Sequence, residues 1–311
     1  MPLGLFGTLN LANRSLQAQR QATEVAGHNL ANVNTPGYAR QRVALETSLY
    51  VPSEIGPQGT GVDAVAIRQL RDRLIDGQIQ SEASVRGSLE AQQKALQFAQ
   101  AALGQVIDRQ ATGAEGSAAA GGVGGQHGLA EELSDFFNAF QSLSSNPTSM
   151  AERQVLIIKA QNLTTQFNQV DRRLDGLRTS LDESLLSDVD SANILLQDIA
   201  KLNEQIIAAE VNGAGQANDL RDIRQLKIEE LAELVNLDST ETSNGGIDIS
   251  VGGQTLVSGP LVLETLEVYD AGGGQMLVRS SGGTPLTLTG GTMHGTIEIR
   301  DNELTTLQTD I

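Results

Sequence analysis

Apolar and polar positions along the chain follow three successive patterns. From residue 8 to residue 32, apolar or small residues recur in steps of three and four: Leu9, Ala12, Leu16, Gln19, Thr23, Ala26, Leu30 and Val33. That spacing predicts a helix with a heptad seam, with Thr8 or Asn10 at its start. Half of the seam is small or polar, so it buries little apolar area and calls for a partner surface. Residues 38–63 set Val43, Leu45, Leu49 and Val51 among Pro52, Gly56, Pro57, Gly59 and Gly61, which predicts an irregular arm or loose hairpin. A long helix is expected from about Ala64 to Asp108, with Val85, Leu89, Gln92, Leu96, Ala99, Leu103 and Val106 along one side.

The second pattern follows a glycine-rich stretch, 111–128, expected to be a flexible loop. The lysine and hydroxyl of a phosphate-binding loop do not follow its glycines. Leu129, Leu133, Phe136, Phe140 and Leu143 then share one face of a short helix that Asn146-Pro147 ends. From about Ser149 to Glu210 apolar residues, Leu163 through Leu185 to Ile206, recur at a mean step near the ~3.6 of a straight helix. Asn212-Gly213-Ala214-Gly215 should close it, and Asn218 is expected to cap a shorter helix reaching about Val235.

From Asn236 the period becomes two. GIDISV, QTLVSG, LVLETLEVYD and QMLVRS lie between glycine turns and predict a small antiparallel β unit over 236–293. The helical pattern returns at 294–311. The expected fold is therefore multidomain and mainly α with a small β domain. Its parts are an N-terminal helix (1–35), an extended arm (36–63), a rod-like domain of long antiparallel helices (64–235), the β unit (236–293) and the start of a returning helix (294–311).

Between the first helix and the arm stands HNLANVNTPGYARQR, residues 28–42. Thr35-Pro36-Gly37-Tyr38 fits a type II turn, because Pro36 pre-sets φ at the first central position and Gly37 takes positive φ at the second. Pro36 also drives Thr35 out of helical angles, so the helix must stop near Asn32–Asn34.

Composition and charge narrow the function. Aromatics make up 3% of the chain, tryptophan and cysteine are absent, and the only histidines are His28, His127 and His294. Ligand pockets are usually lined with apolar and aromatic side chains, which are scarce here. The histidines lack metal-ligand spacing, and no GxSxG elbow occurs. Acidic pairs such as Glu131/Glu132, Glu229/Glu230 and Asp188/Asp190 lie beside apolar seams and read as solvated helix faces. No catalytic, cofactor-binding or metal-ligating residue is therefore expected. Net charge is −17, yet residues 1–45 carry four arginines against Glu24, a local +3 that leaves −20 for the rest. A body this acidic repels phosphate backbones, so nucleic acid is not an expected partner. No run approaches the ~18 apolar residues of a membrane span, and the N-terminus lacks the pattern of a cleaved signal.

HNLANVNTPGYARQ is similar to the N-terminal signature of the axial proteins of the bacterial flagellum, which form rod, hook and hook-associated segments. LSDFFNAFQSLSSNPTSMAERQVLIIKAQNLTTQFN (133–168), ANDLRDIRQLKIEELAELV (217–235), VGGQTLVSG (251–259) and GGTMHGTIEIRDNEL (290–304) resemble, in order, the hook-associated protein 1 family. The resemblance implies a non-enzymatic structural protein at the hook–filament junction, self-assembling through its helices into a tube. It implies copies of itself in a helical ring, the hook protein, a second junction protein and an export chaperone as partners. It further implies secretion through the flagellar export channel without membrane insertion. The family continues into a C-terminal helix that pairs with the N-terminal one, and this chain is expected to stop short of it. Leu9, Leu16, Leu30 and Val33 are the expected assembly residues, and Asn34, Pro36, Gly37 and Tyr38 the chain-redirecting turn. A hook or rod component, or an enzyme-bearing flagellar cap or wall-hydrolysing protein, is the alternative.

Overall fold

A computed structural model describes residues 4–52, 56–103, 129–211 and 216–310. The glycine-rich 111–128 segment and the Asn212–Gly215 helix stop lie outside them. The chain divides into two compact units. The first comprises Met1–Arg86, Val189–Glu267 and Val278–Gly291, and the second Gly87–Asp188, Val268–Leu277 and Thr292–Ile311.

The first unit opens with helix α1 (Leu5–Ala31), followed by β1 (Gln41–Thr47), a small β2–β3 pair (Tyr50–Val51, Gln58–Gly59) and β4 (Val62–Gln69). Strands β1 and β4 pair antiparallel from Gln41↔Gln69 to Thr47↔Val62, with a bulge between Ala44 and Leu45. Of the two readings of residues 38–63, irregular arm or loose hairpin, the described residues form the hairpin, and its β1–β4 pairing is regular apart from that bulge. The helix expected from Ala64 is corrected. VDAVAIRQ holds a short continuous apolar run, Ala64-Val65-Ala66-Ile67, which fits strand or helix, and pairing with β1 decides the ambiguity in favour of strand. Helix α2 (Arg73–Ala102) begins only after Asp72, whose carboxylate accepts the Leu74 amide at 2.9 Å.

Helix α4 (Met150–Glu210) runs unbroken through 61 residues, as its apolar period predicts. Val189, Ala192, Leu196, Ile199 and Ile206 on its C-terminal part are buried in the first unit. There they join Ile228, Leu231 and Val235, from helix α5 (Asn218–Leu234) and its end, in the unit's apolar interior. Strands β5 (Asp238–Glu241), β6 (Ile247–Val251), β7 (Gln254–Ser258) and β8 (Leu261–Val262) make a four-stranded antiparallel sheet in chain order. Ile249 and Val251 alternate inward from β6, and Leu256 and Val257 are buried on β7. Asn203 is buried on α4, donating to the carbonyls of Ile247 at 2.8 Å and Gly259 at 2.6 Å while accepting the Ile247 amide at 3.0 Å. It satisfies loop backbone groups that apolar neighbours would leave unpaired. Asn218 is not the cap of α5. The cap position is Ala217, whose amide donates to Glu210 at 2.8 Å, and the Asn218 side chain turns to the Ile67 carbonyl.

The second unit holds the C-terminal part of α2, helix α3 (Leu129–Ser145), the N-terminal part of α4, helix α6 (Gly291–Glu298) from Thr292, a π-helical turn (Ile299–Glu303) and α7 (Leu304–Asp310). Ala95, Ala99, Ala102, Val170, Leu174, Leu181, Ile299 and Leu304 form its buried cluster. The α2 seam holds only toward its C-terminal end: Ala99 is buried and Leu103 packs on the cluster, but Val85, Leu89 and Leu96 are exposed, while Ser84, Ser88 and Ala95 are buried in their place. Close approach explains this. A Cβ on Gly295 of α6 would lie 2.3 Å from the Ser88 carbonyl oxygen, so only small residues fit along that line. The remaining strands, β9 (Leu266–Asp270) and β10 (Met276–Ser280), pair with each other.

Candidate assembly interface

Helix α1 carries two seams of the same spacing. Leu11, Ser15, Ala18, Ala22, Val25, Asn29 and Asn32 advance in steps of four and three and are buried or half-buried where α1 packs on β1 and β4. Their smallness lets helix and hairpin approach: Ala18 is 3% exposed. Leu11 stands 3.3 Å from where a Gly61 Cβ would be. The seam read from the sequence is the other one. Leu9, Leu16, Leu30 and Val33 are 63%, 69%, 75% and 68% exposed, with Leu5 and Phe6 more so. Arg14, between the seams, pairs with Asp63 of β4 at 3.5 Å and with Ser48.

The Pro-Gly corner has the geometry its residues dictate. The Tyr38 amide donates to the Thr35 carbonyl at 3.2 Å, and Gly37 has φ +74°. A second constraint was not legible in the sequence. A Cβ on Gly37 would fall 2.4–2.7 Å from three Leu226 side-chain carbons on α5, so a larger residue must displace Leu226 as well as take up the left-handed conformation. Asn34 and Pro36 are exposed, and Tyr38 is half-buried.

Asn29 fixes the angle between α1 and the hairpin. Its Nδ2 donates to the Gln41 carbonyl at 2.8 Å, and its Oδ1 accepts the Gln41 amide at 2.8 Å and the Tyr38 hydroxyl at 2.9 Å. Since that hydroxyl is committed as a donor, His28 Nδ1–H donates to its oxygen, also at 2.9 Å. Asn29 therefore pairs with Gln41 as a neighbouring strand residue would. The sequence signal was an asparagine inside a helix, where its propensity is poor.

The first turns of α5 receive the corner. The Ala39 amide donates to Asp222 at 3.0 Å, and Gln41 Nε2 donates to Asp219 at 3.1 Å. Arg71 binds Asp222 and Asp76, each at 2.9 Å. Burial pushes the Asp222 carboxyl above the ordinary value, with the Ala39 amide and Arg71 opposing. Burial likewise raises the Tyr38 phenol, aided by Asp219 and Asp222, so it stays protonated as a donor at neutral pH. None of these partners was singled out from the sequence, because nothing local marks contacts across some 180 residues.

One serine hydroxyl among the described residues faces a histidine ring. Ser88 Oγ and His294 Nδ1 of helix α6 are 3.2 Å apart, and α6 is joined to α4 by Thr292, which donates to Asp188 at 2.8 Å. Among the described residues no group of three or more His, Cys, Asp or Glu residues could hold a metal ion, and no helix is long and apolar enough to cross a membrane. His127 lies outside those residues.

Comparison with known proteins agrees with this architecture. Residues 122–311 match the model of the flagellar hook-associated protein FlgK helical domain, and residues 9–38 match that of the flagella basal body rod protein. Flagellar hook-associated protein 1 of Bacillus subtilis is 31% identical over 248 residues, covering 78% of this chain and 45% of that protein. The Escherichia coli protein of the same name is 27% identical, covering 81% and 43%. The chain thus spans less than half the length of these curated relatives. The solved structure of the flagellar hook junction protein FlgK from Burkholderia pseudomallei shares the fold, with a TM-score of 0.56 and 24% identity over 72% of this chain and 39% of that one. The rod-protein match ends on Tyr38, at the Pro-Gly corner, and the helical-domain match takes up the chain from before α3. The chain belongs to the flagellar hook-associated protein 1 (FlgK) family.

Proposed function

We propose that the chain is a non-catalytic structural component of the flagellar hook–filament junction, assembling by packing its outer α1 seam against other axial helices. One observation carries this reading: α1 spends its small residues on its own hairpin and leaves Leu9, Leu16, Leu30 and Val33 facing outward. Apolar side chains spaced by three and four on one helix face are the substrate of helix–helix packing. In this reading residues 1–35 are the assembly segment, and Asn34, Pro36, Gly37 and Tyr38 turn the chain out of the tube wall. The partners are copies of the chain in a helical ring, the hook protein and a second junction protein. An export chaperone holds the apolar seam before secretion through the flagellar channel. The match of residues 9–38 to the rod-protein model is shared with rod components, so it does not by itself separate junction from rod. The helical-domain match over 122–311 favours the junction.

The test replaces Leu9, Leu16 and Leu30 with glutamine in the chromosomal gene. The protein should be made and should fold, because these side chains touch little of their own chain, yet filaments should detach or fail to form and swimming should be lost. Normal swimming with the triple variant present in intact junctions would overturn the assignment.

A further inference from the structure

Arg71, Arg73, Arg221 and Arg224 converge on one cavity of about 280 Å³ in the first unit, against two lining carboxylates, Asp76 and Glu241. Asp222, Glu210 and Glu229 pair with the same arginines from outside the lining, so the cluster as a whole carries no positive excess and what matters is which guanidinium lacks a carboxylate. Three of the arginines are paired. Arg71 holds Asp76, Asp222 and, at 3.7 Å, Glu229, Arg73 holds Glu241, and Arg221 holds Glu210 at 2.7 Å and Glu241 at 2.6 Å.

Arg224 differs. It is 3% exposed, and its Nη1 donates to two neutral oxygens, Asn203 Oδ1 at 2.8 Å and the Gly245 carbonyl at 2.7 Å. Its Nε is buried without a partner, and no carboxylate among the described residues lies at ion-pair distance from it. Burial and the neighbouring Arg221 bring its pKa down to about 10, although Glu241 and Glu210 pull the other way. A buried guanidinium without a facing anion is costly, and an opposite charge brought against it is correspondingly favoured. Gln69, Gln80, Gln225 and Ser239 add neutral polar groups to the same wall.

We propose that this cavity is an oxyanion site, in which a phosphate- or carboxylate-sized anion sits against Arg224 and ties α2 to α5. Guanidinium forks match such oxygens in pairs, and amide side chains complete the shell. Two sources offer that chemistry: a free ion, or an aspartate or glutamate side chain from another copy of this acidic chain.

Thermal unfolding at matched ionic strength separates them. Sodium phosphate and sodium acetate are each titrated against sodium chloride, on the native chain and on Arg224→Lys and Arg224→Met. A parallel pair, Gly77→Glu and Gly77→Gln, needs no change to Arg224. Gly77 lines the cavity, and a Cβ there meets nothing within 4 Å, so the glutamate tethers a carboxylate in place while the glutamine controls for helix propensity.

For a free ion, phosphate or acetate should raise the midpoint saturably. Arg224→Lys should weaken the response at least tenfold, and Gly77→Glu should exceed Gly77→Gln and abolish it. If free ions act no differently from chloride while Gly77→Glu still exceeds Gly77→Gln, the site takes a side-chain carboxylate. The proposal is overturned if Gly77→Glu is no more stable than Gly77→Gln, or if an ion response survives unchanged in whichever Arg224 variant folds.

Discussion

Gly37 shows how much one residue is asked to satisfy. Its φ of +74° suits glycine, and the Leu226 side chain occupies the space where any Cβ would go. Gly37→Val combines left-handed strain, about 1–3 kcal/mol, with a displaced Leu226. We expect a fall in unfolding midpoint together with loss of the Ala39–Asp222 contact, read from the Ala39 amide shift in NMR spectra. An unchanged midpoint would show that the corner relaxes freely. Asp188 makes the opposite case, a residue that costs stability where it stands. Burial raises its pKa above the ordinary 3.8, with the Thr292 hydrogen bond and Lys94 only partly opposing. A carboxyl raised in the folded state binds its proton more tightly there than in the unfolded chain, so its contribution falls as pH rises through that range. Asp188→Asn keeps an acceptor for Thr292 and removes the charge. Its denaturation midpoint should exceed the parent's at pH 7, and the gap should close below about pH 4, near the unbound carboxylate value. A gap independent of pH would place the effect in packing instead of ionisation.

Elements differ in how far their sequence betrays them. Helix α4 was legible because large side chains mark its buried face: Val170, Leu174, Leu185, Leu196, Ile199 and Ile206 are all at 1% exposure or less. The β5–β8 sheet was legible for the same reason, through Ile249, Val251, Leu256 and Val257 alternating or clustering between glycines. The seam expected on α1 is its outward one, and that on α2 is only partly buried, at Ala99 and Leu103. Their intrachain contacts also use Ala18, Ser84, Ser88 and Ala95, and many of the bulky residues that dominate a hydrophobic pattern point outward. Strand β4 was read as helix because its short apolar run, Ala64 to Ile67, fits either element and only its pairing with β1 decides. Of the candidate site, the turn at Gly37 was legible from local chemistry, whereas Asn29, Asp222 and Leu226 were not, because their roles depend on contacts remote in sequence. A consequence follows for local stability. Each alanine on the inner α1 seam buries about one methyl, ~0.8 kcal/mol per CH₂-sized group, against the larger side chains that α4 buries. Amide exchange on the dilute chain should therefore be faster by orders of magnitude across residues 9–27 than across 192–206. Near Asn29, where α1 is pinned to Gln41, protection should rise. Equal protection along both helices would mean that the hairpin holds α1 far more firmly than its contacts imply.

For the whole molecule, two opposed quantities govern whether copies meet. Exposed apolar seams on α1 and α2, including Leu9, Leu16, Leu30, Leu89 and Leu96, favour association, while a net charge of −17 opposes it. The first term is nearly indifferent to simple salt and the second is not, because the Debye length shrinks from about 30 Å at 0.01 M to about 3 Å at 1 M. Raising sodium chloride from low to high concentration should therefore promote self-association, visible as a rising weight-average mass in sedimentation velocity. Leu9, Leu16 and Leu30 replaced by glutamine should flatten that response, since the charge is unchanged while the apolar face is gone. Were association instead to weaken with salt, ion pairs rather than the outer seam would hold copies together, with the Arg14, Arg20, Arg40 and Arg42 end of one chain meeting the acidic body of the next. That outcome would move the interface away from the α1 leucines and onto the charge asymmetry between the two ends of the chain.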